Sequence, residues 1–165
     1  MGASLIRWLT NSEVSHVDLV VPRAIALRYT KQPLQSREGL LGSRLDGGVQ
    51  LRPSDYARFT KVVRVGALVP DMDAAYAYAF SQIGKPYSKQ AIVDMFLHRH
   101  RPVPMNPSRW FCSELNYMIY KTGGTELLRT DFPDIVTPEE EMLSPDWTPL
   151  SASPLESLFA PTEGK

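Results

Sequence analysis

The sequence predicts an α+β domain in which an antiparallel sheet, formed early in the chain, packs against helices formed later. Three observations carry this. Apolar residues alternate with a period of two in short runs up to about residue 65. From residue 71 they recur at helical spacing. An Asp46-Gly47 turn between two apolar runs is a strong hairpin signal. With 165 residues, 43% hydrophobic and 22% charged, the chain fits one globular domain over 1–165, with a less ordered tail from about residue 151.

The first strand is read from His16 to Val21, where Val17, Leu19 and Val21 alternate with His16, Asp18 and Val20 until Pro22 closes the run. His16 and Asp18 then share a face. From Arg23 to Gly39 the pattern blurs into a polar excursion holding Pro33. Leu40-Leu41 and Val49-Gln50-Leu51 flank the hairpin turn, Pro53-Ser54-Asp55 starts a brief helical turn, and Lys61 to Val65 alternates again, so three or four antiparallel strands are expected.

Asp71 is placed to cap a helix with Met72, Ala75, Tyr76, Ala79, Phe80 and Ile83 on one stripe, ending at Gly84. Ser88 is placed to cap a second, carrying Ile92, Val93, Phe96 and Leu97. Pro102, Pro104 and Pro107 make the stretch from Arg99 to Arg109 an irregular loop that leads into Trp110-Phe111-Cys112. A third helix follows, with Leu115, Met118 and Ile119 on one face and Gly123-Gly124 at its end. Thr137-Pro138-Glu139-Glu140 matches a capping box with proline at the first helical position.

Charge and hydropathy exclude several classes of function. The 18 basic and 18 acidic residues cancel and are spread along the chain, so no footprint for nucleic acid or an anionic membrane is expected. No apolar run approaches the roughly 20 residues a bilayer requires. The start Met1-Gly2-Ala3-Ser4-Leu5-Ile6-Arg7-Trp8 meets a charge too early for a signal peptide. The expectation is a soluble chain, cytoplasmic as synthesised, with no integral membrane association; the oligomeric state is not legible.

Cys112 is the single cysteine, so it is either a small buried hydrophobe or a reactive thiol. It stands at the first turn of a predicted helix, where free N–H groups and the macrodipole stabilise a thiolate. A thiolate needs an imidazole that holds it as an ion pair and later protonates the leaving group. His16 is the candidate partner. His98 and His100 lie in His98-Arg99-His100-Arg101, among cations that disfavour imidazolium, and no Cys or carboxylate stands at metal-ligand spacing beside them. No metal or cofactor is expected. A lone Cys or His is more often a packing residue than a catalyst, and Tyr76, Tyr78 and Phe80 read most simply as helix residues.

Four motifs in order resemble the circularly permuted NlpC-type papain-like cysteine hydrolases, in their YiiX/YebB-like branch. They are Ser15-His16-Val17-Asp18-Leu19-Val20-Val21, Asp46-Gly47-Gly48-Val49, Gly84-Lys85-Pro86-Tyr87 and Trp110-Phe111-Cys112-Ser113-Glu114-Leu115. Val136-Thr137-Pro138-Glu139 resembles the family's later Thr-Pro segment, and the likeness spans roughly Ile6 to Trp147. It implies a papain-like fold with the site between sheet and nucleophile helix, Cys112 attacking an amide and His16 moving the proton. It further implies substrate contacts from Tyr87, Trp110 and Ser113, and a peptide or peptidoglycan fragment as substrate. Relatives often carry Glu on the next strand to orient the histidine; here Leu41-Gly42-Ser43-Arg44 holds no carboxylate. Ser43, Asp18 or a backbone carbonyl is left for that role. Acyl transfer or ester and thioester cleavage by the same dyad, and a non-catalytic binding or virion module, are the alternatives.

Overall fold

The computed structural model describes residues 14–30, 34–56, 62–97, 105–128 and 136–149. It is a mixed α+β arrangement in the order β1 (Leu19–Pro22), α1 (Arg23–Tyr29), β2 (Glu38–Arg44), β3 (Gly48–Pro53), β4 (Val65–Gly66), α2 (Met72–Ser81), α3 (Lys89–Leu97), α4 (Cys112–Thr122), α5 (Pro138–Met142) and β5 (Thr148–Pro149). His98, His100, the loop up to residue 104 and the tail from residue 150 lie outside the described residues.

One three-stranded antiparallel sheet runs β1-β2-β3, with Leu19 opposite Leu41 and Leu41 opposite Leu51. Its hairpin is the expected one, with Gly47 and Gly48 at positive φ in the turn. Pro22 ends β1 as read, but His16 and Asp18 precede the strand rather than belong to it. Of the strand read from Lys61 to Val65 only the end is one: residues 62–64 are irregular, Lys61 lies outside the described residues, and the two-residue β4 pairs not with this sheet but with β5, Val65 opposite Pro149.

The polar excursion contains a helix the sequence did not announce. α1 has no side-chain cap and buries only Ala26, so its periodicity is faint. Tertiary contacts hold it: Tyr29 stacks on Phe80 at 4.6 Å, and Arg28 donates to Asp73 at 3.0 Å.

The later helices begin where cap chemistry places them. Asp71 accepts from the Ala74 amide at 2.8 Å, Ser88 from the Ala91 amide at 3.3 Å, and Thr137 from the Glu140 amide at 3.2 Å. α2 ends at Ser81, sooner than Ile83, which is exposed. α4 packs on α2 and on β2. Leu19, Val21, Leu41 and Val49 of the sheet meet Ala75, Ala79, Leu115 and Ile119 of these helices in the main core. Among the described residues, no helix is long and apolar enough to cross a membrane.

Candidate functional site

Trp110-Phe111-Cys112 is fixed in space by backbone hydrogen bonds to the Gly84–Ser88 segment. Gly84 N–H donates to the Val49 carbonyl and Val49 N–H to the Lys85 carbonyl, both at 2.9 Å, which ties the segment to β3. Trp110 N–H donates to the Pro86 carbonyl at 3.1 Å and Ser88 N–H to the Trp110 carbonyl at 2.9 Å, a parallel bridge between Tyr87 and Trp110. The Trp110 carbonyl also accepts from the Ser43 hydroxyl at 2.7 Å. The residues before the nucleophile candidate are thus bonded to β2 directly and to β3 through one strap. Gly48 permits the approach: a Cβ there would stand 2.1 Å from the Lys85 oxygen.

Helix α4 starts at Cys112, which is 1% exposed. The Glu114 carboxylate accepts from the Phe111 amide at 3.1 Å, and the other half of a capping box is missing because Phe111 has no acceptor. Ala91 and Phe111 share a buried cluster with Cys112, and the partly buried Val17, Tyr87 and Ile92 pack against it. The sulfur thus belongs to a small apolar cluster.

His16 brings a polar group to it. Its side chain is 20% exposed, and Nε2 lies 2.8 Å from Asp18 Oδ1. Burial alone would lower the imidazole's pKa. The hydrogen bond to Asp18, then a side-chain hydrogen bond with Cys112 and the charges of both partners, outweigh burial and push it up to about 10. With Nε2 committed to Asp18, the ring nitrogen left for the sulfur is Nδ1. The structure therefore brings Cys112 together with His16 and Asp18, which lie almost a hundred residues earlier in the chain.

The Asp18 pKa is lowered even though burial pushes it upward, because His16, Tyr56 and Arg44 favour the anion. Its place depends on what β2 lacks. Leu19 faces Leu41, so one step back Asp18 stands across from Gly42. A Cβ at Gly42 would come 1.8 Å from Asp18 Oδ1. The carboxylate occupies the space where a side chain from the neighbouring strand would be.

The other sequence candidates sit differently. Ser43, one residue along the pleat, points to the opposite face from Gly42 and spends its hydroxyl on the Trp110 carbonyl, so it does not orient the imidazole. Trp110 is buried, with its indole N–H donating to Gln82 at 3.0 Å; it anchors the segment and does not line a cleft. Ser113 is buried and its hydroxyl donates to the Val136 carbonyl, tying α4 to the chain before α5. Tyr87 does lie by the sulfur, its ring edge-on to Phe111 at 5.7 Å. Burial, then the charges of Cys112 and Glu114, push its phenol upward.

Sequence reasoning missed Tyr56 and Arg44. Tyr56 donates to Asp18 Oδ2 at 2.9 Å and accepts from Arg44 Nη1 at 2.8 Å. A surface pocket of about 830 Å³ lined by Thr30, Leu34, Gln50, Leu51 and Ile83, among others, shares no residue with this cluster.

Comparison of the chain with protein families, with curated proteins and with solved structures finds no match.

Proposed function

We propose that the chain is a papain-like cysteine hydrolase of the permuted NlpC type, with Cys112 as nucleophile, His16 as acid and base, and Asp18 as the group that orients His16. One observation carries the reading: a sulfur at a helix start shares an imidazole with a buried carboxylate. Cys112 as thiolate attacks the substrate carbonyl carbon, forming a C–S bond. His16 as imidazolium gives its proton to the leaving nitrogen as the C–N bond breaks. Neutral His16 then takes a proton from water, hydroxide attacks the thioester carbonyl, and the sulfur departs as thiolate. Asp18 keeps the imidazole turned toward the sulfur and stabilises its cation. Free N–H groups of the first turn of α4 are available to the oxyanion.

The substrate class that the family likeness favours is a peptide of the bacterial wall. A second reading has its own support: the apolar cluster that includes Cys112, with Ala91 and Phe111 in it and Val17, Tyr87 and Ile92 against it, suits an apolar acyl group, so ester or thioester cleavage by the same dyad stands beside amide hydrolysis.

The test begins with iodoacetamide alkylation across pH, with Cys112→Ser as the blank. An ion-paired sulfur reacts well below the free-thiol range of about 8.5, whereas reaction only above it points to a binding module with an idle site. Peptidoglycan zymography against release of a chromogenic acyl ester then separates the two hydrolytic readings.

A further inference from the structure

We propose that Tyr56, backed by Arg44, is a positioning residue for the His16–Cys112 pair, holding Asp18 in the one orientation that keeps the imidazole aimed at the sulfur. The proposal rests on the hydrolase reading above and adds residues that no motif contains.

The direction of the hydrogen bonds is dictated by what each group can do. A guanidinium only donates, so Arg44 Nη1, 2.8 Å from the Tyr56 oxygen, must give a proton to it. The phenol has one proton of its own, and it goes to Asp18 Oδ2 at 2.9 Å. The other Asp18 oxygen, Oδ1, takes His16 Nε2 at 2.8 Å. Each oxygen of the carboxylate thereby has its own donor, and the two together restrain its rotation. Bound through Oδ1 alone, it would be free to swing, and the imidazole with it.

The phenol is itself held. Its ring lies under two guanidinium groups, with Arg44 at 4.9 Å and Arg52 at 5.5 Å from the centroid. Arg52 is buried and donates to the carbonyls of Gly42 and Gly48, each at 3.2 Å, so the ring is referenced to the backbones of β2 and β3. Tyr56 N–H donates to the Pro53 carbonyl at 3.1 Å and fixes the residue at the end of β3. Burial and the Asp18 charge raise the phenol to about 12, against the opposing pull of Arg44, so it stays a neutral donor through the working pH range. The absent side chain at Gly42 leaves Asp18 room to reach both partners.

The experiment follows the His16 ring by nitrogen-resolved NMR across pH in the full chain, together with the pH profile of Cys112 alkylation, in wild type, Tyr56→Phe and Arg44→Gln. Neither readout needs a substrate. In the wild type the imidazolium is expected to persist well above neutral pH. In Tyr56→Phe its midpoint is expected to fall by about one unit and alkylation at neutral pH to slow about tenfold, the effect of one hydrogen bond to a charged group. Arg44→Gln, which leaves the phenol in place, is expected to shift both in the same direction by less, and it carries the test if the phenylalanine variant does not fold. An unchanged His16 midpoint in folded Tyr56→Phe, against a raised wild-type value, overturns the proposal and leaves the hydrolase reading standing. A wild-type midpoint near 6.5 with ordinary thiol kinetics removes both.

Discussion

Two buried carboxyl groups in this chain end in opposite states. Asp18, with its side chain 7% exposed, has its pKa lowered. Glu141, 1% exposed, is pushed up to about 8 by burial, against only a hydrogen bond from Asn116. Burial penalises both anions alike. The neighbours differ: Asp18 meets an imidazolium and a phenol backed by the Arg44 charge, whereas Glu141 meets a neutral amide. Among the described residues, the two buried side-chain atoms left without a hydrogen-bond partner, Glu141 Oε2 and Asn116 Oδ1, belong to that same pair, and a proton on the carboxyl supplies the donor they lack. Glu141 joins α5 to α4 as a neutral group, while Asp18 is the charged partner of His16. A buried acid by itself does not mark a functional site; donors and cations converging on it do.

The sharpest way to break the contrast is Asp18→Asn, which keeps the shape and removes the charge. The His16 midpoint should fall toward 6.5, and hydrolysis should drop about 10²–10⁴-fold, the usual range for losing a properly placed acid–base group. A loss under threefold in steady-state rate would put the orienting role elsewhere.

The second comparison is of stability against pH. Glu141 binds its proton more tightly folded than unfolded, so its contribution is fully present below about 4.5 and is lost as pH rises toward about 8. His16, raised to about 10, has the same sign over 6.5 to 10. Asp18 has the opposite sign: its contribution is present above 3.8 and is lost as pH falls through its lowered value. Glu141→Gln can form an amide pair with Asn116 at any pH. Chemical denaturation should find it within about 1 kcal/mol of wild type at pH 5 and a few kcal/mol more stable at pH 8.5. Parallel curves for the two proteins would mean that Glu141 carries no such proton.

Smaller in magnitude, Gly42→Ala should displace the Asp18 carboxylate, destabilising the fold by about 1–3 kcal/mol and lowering the His16 midpoint together, because the added carbon takes the place of Oδ1. Thr137→Ala, at the cap of α5, should cost about 1 kcal/mol in a urea melt with no change at His16.

How much of this was legible in the sequence follows from the range of each interaction. Caps at Asp71, Ser88 and Thr137, the Asp46-Gly47 hairpin and the helix start at Cys112 are set by neighbours within a few residues, and the chain displays them directly. His16 and Asp18 also lie near each other, yet the choice between Asp18 and Ser43 depended on the pleat, which turns Ser43 away, and on the missing Cβ of Gly42 across the sheet. Tyr56 lies 38 residues from Asp18, and nothing in its local sequence distinguishes it from any tyrosine after a strand. Trp110 and Ser113 carried over from the motif as substrate residues, but their polar groups are consumed by Gln82 and Val136. Helix α1 went unseen because its support comes from α2 and not from its own periodicity.

The strap from Gly84 to Ser88 has a consequence for what the sulfur depends on. Because the backbone beside Cys112 is bonded to that strap, and the strap to β3, the surroundings of the sulfur are made by parts of the chain distant in sequence. A chain that has lost these bonds leaves the sulfur without its cover and without its imidazole.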